Sequence, residues 1–204
     1  MKKFFKKGIL LFAEALALCA FAMPSIASAS SWGPILSEHS LDGTFGVINH
    51  PNLVTSDCTA SQLTTTVVST AVMEITGATF RSCTWVGPSG VIIGGTCLVT
   101  ATGTGFPWTA TAVTTSNIQI HGVDIDFTLA NQPGDASCNS PDLGIEITGT
   151  LRGGRWTGNA THEIDLPSGP TGAFGLVGHI FGSSIPFTFT GTFSDTQQTL
   201  TVTN

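Results

Sequence analysis

Two pairs of acids have the spacing that chemistry could use. Asp124 and Asp126, and likewise Glu163 and Asp165, are separated by one residue within stretches that alternate apolar and polar side chains. On a strand that spacing puts both carboxylates of a pair on one face. Adjacent carboxylates supply hard oxygen ligands for Ca²⁺, which makes Asp124 and Asp126 the metal candidates. Either pair would also suit a hydrolase working through an acid and a base or nucleophile, which in a glycosidase stand roughly 5–9.5 Å apart. The competing assignment is a solvated strand face, because Val123, Ile125 and Phe127 fill the alternate positions. That solvated face is the expectation.

Other chemistry is sparse. The histidines His39, His50, His121, His162 and His179 are scattered, and any of them could meet an acid only through the fold. No G-x-S-x-G pattern announces a serine nucleophile, and Gly87-Pro88-Ser89-Gly90 reads as a turn. Metalloprotease, P-loop, dinucleotide-binding and EF-hand motifs are absent from the sequence. Trp32, Trp85, Trp108 and Trp156 could stack on a sugar, but their spacing forms no paired platform and fits a core equally well. No catalytic residue and no cofactor follow from these patterns.

Cysteine usage says more. Beyond Cys19, which lies in the leader described below, the chain has Cys58, Cys83, Cys97 and Cys138. An even count in an exported chain reads as a disulfide framework, and no close C-x-x-C pair favours zinc. Three connectivities are open. A hairpin turning near Ser69 to Val72 would set Cys58 opposite Cys83, so Cys58–Cys83 with Cys97–Cys138 is the expected pairing, although that turn lacks Gly, Asn or Pro.

The elements that must carry these residues begin after an address. Met1-Lys2-Lys3-Phe4-Phe5-Lys6-Lys7 is cationic, Gly8 to Met23 is apolar apart from Glu14, and Ala27-Ser28-Ala29 supplies small residues for cleavage. That is the pattern of a secretory signal peptide over residues 1–29, and the run is too short to be read as a membrane span. Cleavage would remove all four lysines, leaving twelve acids against Arg81, Arg152 and Arg155, a net charge of −9. Such a surface repels nucleic acid and anionic lipid, so neither is an expected partner. A protein, a glycan or a small apolar ligand remains compatible with it.

Residues 30–42 read as a flexible leader and 43–204 as one antiparallel β domain. Strands are expected at Thr44–Asn49, Leu63–Val68, Ala71–Phe80, Val91–Thr102, Thr109–Thr115, Ile118–Phe127, Gly144–Leu151, Trp156–Leu166, Ala173–Phe181, Ile185–Phe193 and Thr199–Thr203. The apolar parity of Ile118 and Ile120 switches to Val123, Ile125 and Phe127 across Gly122, as a β-bulge would produce. Ile75-Thr76-Gly77, Ile147-Thr148-Gly149 and Phe189-Thr190-Gly191 form a weak repeat, with glycine expected where a sheet curves. Short strands with hairpin-length links imply an all-β meander of about ten strands, closed as a barrel or packed as a sandwich, with the barrel favoured. An outer-membrane barrel is disfavoured because Tyr is wholly absent from the would-be aromatic girdles.

Phe80-Arg81-Ser82-Cys83-Thr84, Cys97-Leu98-Val99-Thr100-Ala101-Thr102-Gly103 and Phe106-Pro107-Trp108 together carry a resemblance. With the closing hairpin of Phe187–Phe193 and Thr199–Thr203, the chain resembles a loose group of secreted, Thr/Gly-rich β-proteins of actinobacteria. The resemblance implies an exported β-domain and brings no catalytic residues. The expectation is a secreted, non-enzymatic domain with an interaction or surface role. The alternatives are a small-ligand-binding barrel and a hydrolase using Asp124, Asp126, Glu163 or Asp165.

Overall fold

The computed structural model describes residues 30–49, 55–87, 95–131, 133–134, 137–138, 144–166, 175–180 and 183–203. The signal segment therefore lies outside the described residues, as do the Gly87–Gly90 and Pro167–Pro170 turn clusters in part or whole. Every described element is a strand. The short β1 (Ser31–Gly33) precedes β2 (Glu38–Asn49), β3 (Thr55–Val67) and β4 (Met73–Gly87). Then come β5 (Gly95–Gly103), β6 (Trp108–Thr114), β7 (Asn117–Ala130) and β8 (Gly144–Trp156). The last four are β9 (Glu163–Leu166), β10 (Leu176–Ile180), β11 (Ser183–Asp195) and β12 (Thr201–Thr203).

Ten of these strands form one antiparallel sheet that returns to its starting point. β2, β3 and β4 pair in sequence; β4 pairs with both β5 and β6, and both of those pair with β7. β7 pairs with β8, β8 with both β9 and β10, and both of those with β11, which pairs with β2. β5 and β6 occupy one position of the ring end to end: along β4, Thr79 opposes Thr102 and Ile75 opposes Trp108. β9 and β10 share another, with Gly191 opposite Leu166 and Phe187 opposite Leu176. The chain is thus an up-and-down barrel with eight strand positions, two of them interrupted. Gly105, at φ 62°, and Pro107 make one interruption, since neither suits a continuous ladder.

Alternation fills the interior. Strand β7 shows the expected parity switch: Ile118 and Ile120 are buried, Gly122 takes φ 71° as the register slips, and Val123, Ile125 and Phe127 are buried beyond it. Phe45 stands among Phe189, Phe80 and Phe127, with ring centroids 4.0, 4.6 and 6.4 Å away. Eight strands enclose a space that side chains can just fill. The void lined by residues including Phe45, Leu63, Phe80, Trp108, Leu151 and Phe189 is about 20 Å³, room for roughly one water molecule.

Both disulfides have the expected pairing. Cys58 and Cys83 are directly opposed on β3 and β4, whose connection turns at Ser69 through a hydrogen bond to Val72. Cys97 on β5 joins Cys138, which follows β7.

Three expectations are corrected. Residues 30–42 are not a flexible leader: they include β1 and the start of β2, with Trp32 and Leu41 buried. Thr201–Thr203 does not form a hairpin with β11 but pairs with β1, because the chain turns away at Asp195. Trp156 ends β8 rather than opening the next strand, and a turn over 157–162 separates it from β9. The β1–β12 pair caps the barrel end that also holds the β3–β4 turn and the 157–162 turn. Trp32 donates its backbone N–H to Thr70 O and meets the ring of Trp156 edge-on at 6.5 Å.

Candidate functional site

The acids singled out by spacing do not converge. Asp124 and Asp126 lie on the outward side of β7, with Val123, Ile125 and Phe127 facing inward as expected. Asp126 sits directly opposite Glu146 on β8, a like-charged pairing, and Glu146 opposes His179 on β10. Asp124 Oδ1 is buried without a hydrogen-bond partner. No group of three or more His, Cys, Asp or Glu among the described residues could hold a metal ion. Asp165 opposes Arg155 and Asp124 opposes Thr148, both on β8. The two acid pairs are therefore separated along the barrel by roughly 20 Å at ~3.3 Å per residue, too far for one catalytic cleft.

A different constellation forms at the capped end. Ser37 and His39 are two residues apart at the entry to β2, so both side chains fall on one side of the strand. Ser37 Oγ lies 2.6 Å from His39 Nε2, and His39 Nδ1 lies 3.2 Å from Asp195 Oδ2 at the end of β11. The side chains of His39 and Asp195 are completely buried. Asp195 in turn organises the chain leaving the barrel: Oδ2 accepts from the N–H groups of Thr199 and Leu200, and Oδ1 from that of Gln197.

Burial is the largest single influence on the Asp195 carboxyl and would raise its pKa. The N–H groups of Leu200, Thr199 and Gln197 together with His39 outweigh it and hold the group below its ordinary value of 3.8. Nδ1–H donates to the carboxylate, and Nε2 faces the Ser37 hydroxyl. The one hydroxyl proton of Ser37 is donated to the Pro34 carbonyl at 2.5 Å, so Oγ presents a lone pair to Nε2.

A second set of contacts secures the same end. His162 Nδ1 lies 2.7 Å from Leu200 O, and Asp195 N donates to His162 O. Asn159 Oδ1 accepts from both Trp156 Nε1 and Val202 N.

A Ser–His–Asp hydrogen-bond chain is the arrangement that activates serine nucleophiles. Here, however, no surface of the imidazole is open. A leaving group would have to displace protein before Nε2 could protonate it. Sequence patterns identified His39 only as one histidine among five and did not reach Ser37 or Asp195. The Ser-x-His spacing was the available local signal, and its third member lies 156 residues further on. The chain matches no family model, no curated protein and no solved structure.

Proposed function

We propose that this chain is a secreted, non-enzymatic β-barrel protein whose role is carried by its outer surface. The observation that carries this reading is the filled interior of the described barrel: the void lined by residues including Phe45, Trp108 and Phe189 is about 20 Å³, too small for a small-molecule ligand. Two buried disulfides fit an oxidising compartment. Among the described residues no helix is long and apolar enough to cross a membrane. The amino-terminal segment supports export as a cleaved signal peptide, and the acidic surface favours a protein or glycan partner over nucleic acid.

Native mass spectrometry of protein recovered from culture medium tests this reading. The expected result is a bare polypeptide beginning at Ser30. A tightly held small molecule released only on denaturation would replace it with a ligand-binding barrel.

A serine-dependent hydrolase is a second reading, favoured by one observation, the Ser37–His39–Asp195 chain. Complete burial of His39 opposes it. A fluorophosphonate probe separates the two: no label at Ser37 is expected of a structural relay. Stoichiometric label that disappears in Ser37→Ala would establish the nucleophile.

A further inference from the structure

We infer that Ser37, His39 and Asp195 form an acid-tolerant latch on the barrel cap, in which the Ser37 hydroxyl keeps the latch closed when His39 is protonated, so that the cap opens only when Asp195 itself takes up a proton.

The cap depends on Asp195. Its carboxylate holds the N–H groups of Gln197, Thr199 and Leu200, which set the turn leading into β12. β12 then pairs with β1 and so brings Trp32 against Trp156. Across the barrel seam the same carboxylate is tied to β2 through His39. Release of Asp195 therefore undoes both the turn and its anchor.

A buried histidine in such a clasp is ordinarily a weak point in acid. A neutral imidazole has one donor and one acceptor, whereas an imidazolium has two donors, so an acceptor-only arrangement at Nε2 must be replaced. The position of Ser37 supplies the replacement. While His39 is neutral, the Ser37 hydroxyl turns from the Pro34 carbonyl and donates to Nε2. Once His39 is protonated, Nε2–H donates to Ser37 Oγ, and the hydroxyl proton turns to the Pro34 carbonyl, which is already within reach. Both ring nitrogens therefore have a partner in either state, and the new positive charge faces the Asp195 carboxylate.

The surroundings add no competing charge. Glu38 precedes His39 but is exposed on the other side of β2, and the opposing β3 presents Thr65, whose hydroxyl donates to His39 O. From the turn after β11, Thr199 Oγ1 approaches Nδ1 at 3.5 Å. The adjoining turn contributes His162 through its backbone carbonyl, while Glu163 on β9 accepts from Ser194. Asp195 is thus the one carboxylate in contact with the ring among the described residues.

Residue-resolved amide exchange in the mature, disulfide-intact protein, corrected for intrinsic rates, tests the latch. In the wild type, protection at Trp32 and Val202 should stay constant from pH 7.5 to 5. In Ser37→Ala, which leaves Nε2–H without an acceptor, the same amides should lose about tenfold or more of their protection over that interval, while the barrel amides of β3 and β4 remain protected. Ser37→Ala combined with His39→Gln should abolish the pH dependence, because the relay then holds no imidazole to take up a proton. Ser37→Ala behaving like the wild type would overturn the latch, as would a wild-type cap that opens between pH 7.5 and 5.

Discussion

Asp195 carries more of the capped end than any neighbouring side chain, because one buried carboxylate satisfies three backbone donors and an imidazole. Replacing it with alanine strands those donors in a buried site. Asp195→Ala should therefore cost about 3–5 kcal/mol of stability, read from urea unfolding followed by tryptophan fluorescence. A cost below 1 kcal/mol would mean that the cap contributes little to the folded state. The same residue sets an acid limit. Its folded pKa lies below its ordinary value of 3.8, so its contribution is fully present above that value and is lost as pH falls through the lower folded one. Between pH 5 and pH 3 the urea midpoint of the wild type should drop. Asp195→Asn should begin lower and show a smaller drop over the same interval.

At the scale of elements, the seam where β11 meets β2 closes the barrel, and glycine permits its close approach. A Cβ at Gly43 would stand 1.8 Å from Thr192 O, and one at Gly191 would stand 2.2 Å from Thr44 O. Within the I-T-G repeat, Gly149 is similarly crowded, by Gly175 O at 2.0 Å, but Gly77 meets nothing closer than the Thr64 side chain at 3.7 Å. The repeated glycines are therefore alike in sequence and unlike in necessity. Gly191→Ala should destabilise the fold by at least about 2 kcal/mol. Gly77→Ala should stay within about 1 kcal/mol of the wild type. Parallel thermal denaturation of the two variants checks the contrast, and equal shifts would contradict a tight seam.

Among the described residues the main sheet is a closed ring with a packed interior and exposes no long unpaired edge for association. Its disulfides act on different parts of that ring. Cys58–Cys83 spans the β3–β4 hairpin with a separation of 25 residues, and Cys97–Cys138 ties the segment after β7 back to β5 with a separation of 41. Removing either pair should lower stability by about 2–5 kcal/mol, measured as a shift in the urea midpoint of Cys→Ser double variants. The intact mass of the exported protein should lie about 4 Da below that of its reduced form, one hydrogen for each half-cystine. Four reactive thiols in the unfolded, unreduced protein would contradict the framework.

Local patterning was enough to specify much of this architecture. Alternation marked most strands, Gly122 marked a bulge through its change of parity, and the Ser69–Val72 turn placed Cys58 opposite Cys83. Each of those features depends on residues a few positions apart, where side-chain direction and turn geometry act directly on the chain. Closure of β11 onto β2, the merging of β5 with β6, and the pairing of β12 with β1 depend instead on how the strands pack around a shared interior. No short window encodes that geometry. The relay belongs with these tertiary features: Ser37 and His39 are ordinary polar residues of a strand entry until barrel closure brings Asp195 to them. A hydrogen bond across 156 residues exists only once every intervening register has been fixed.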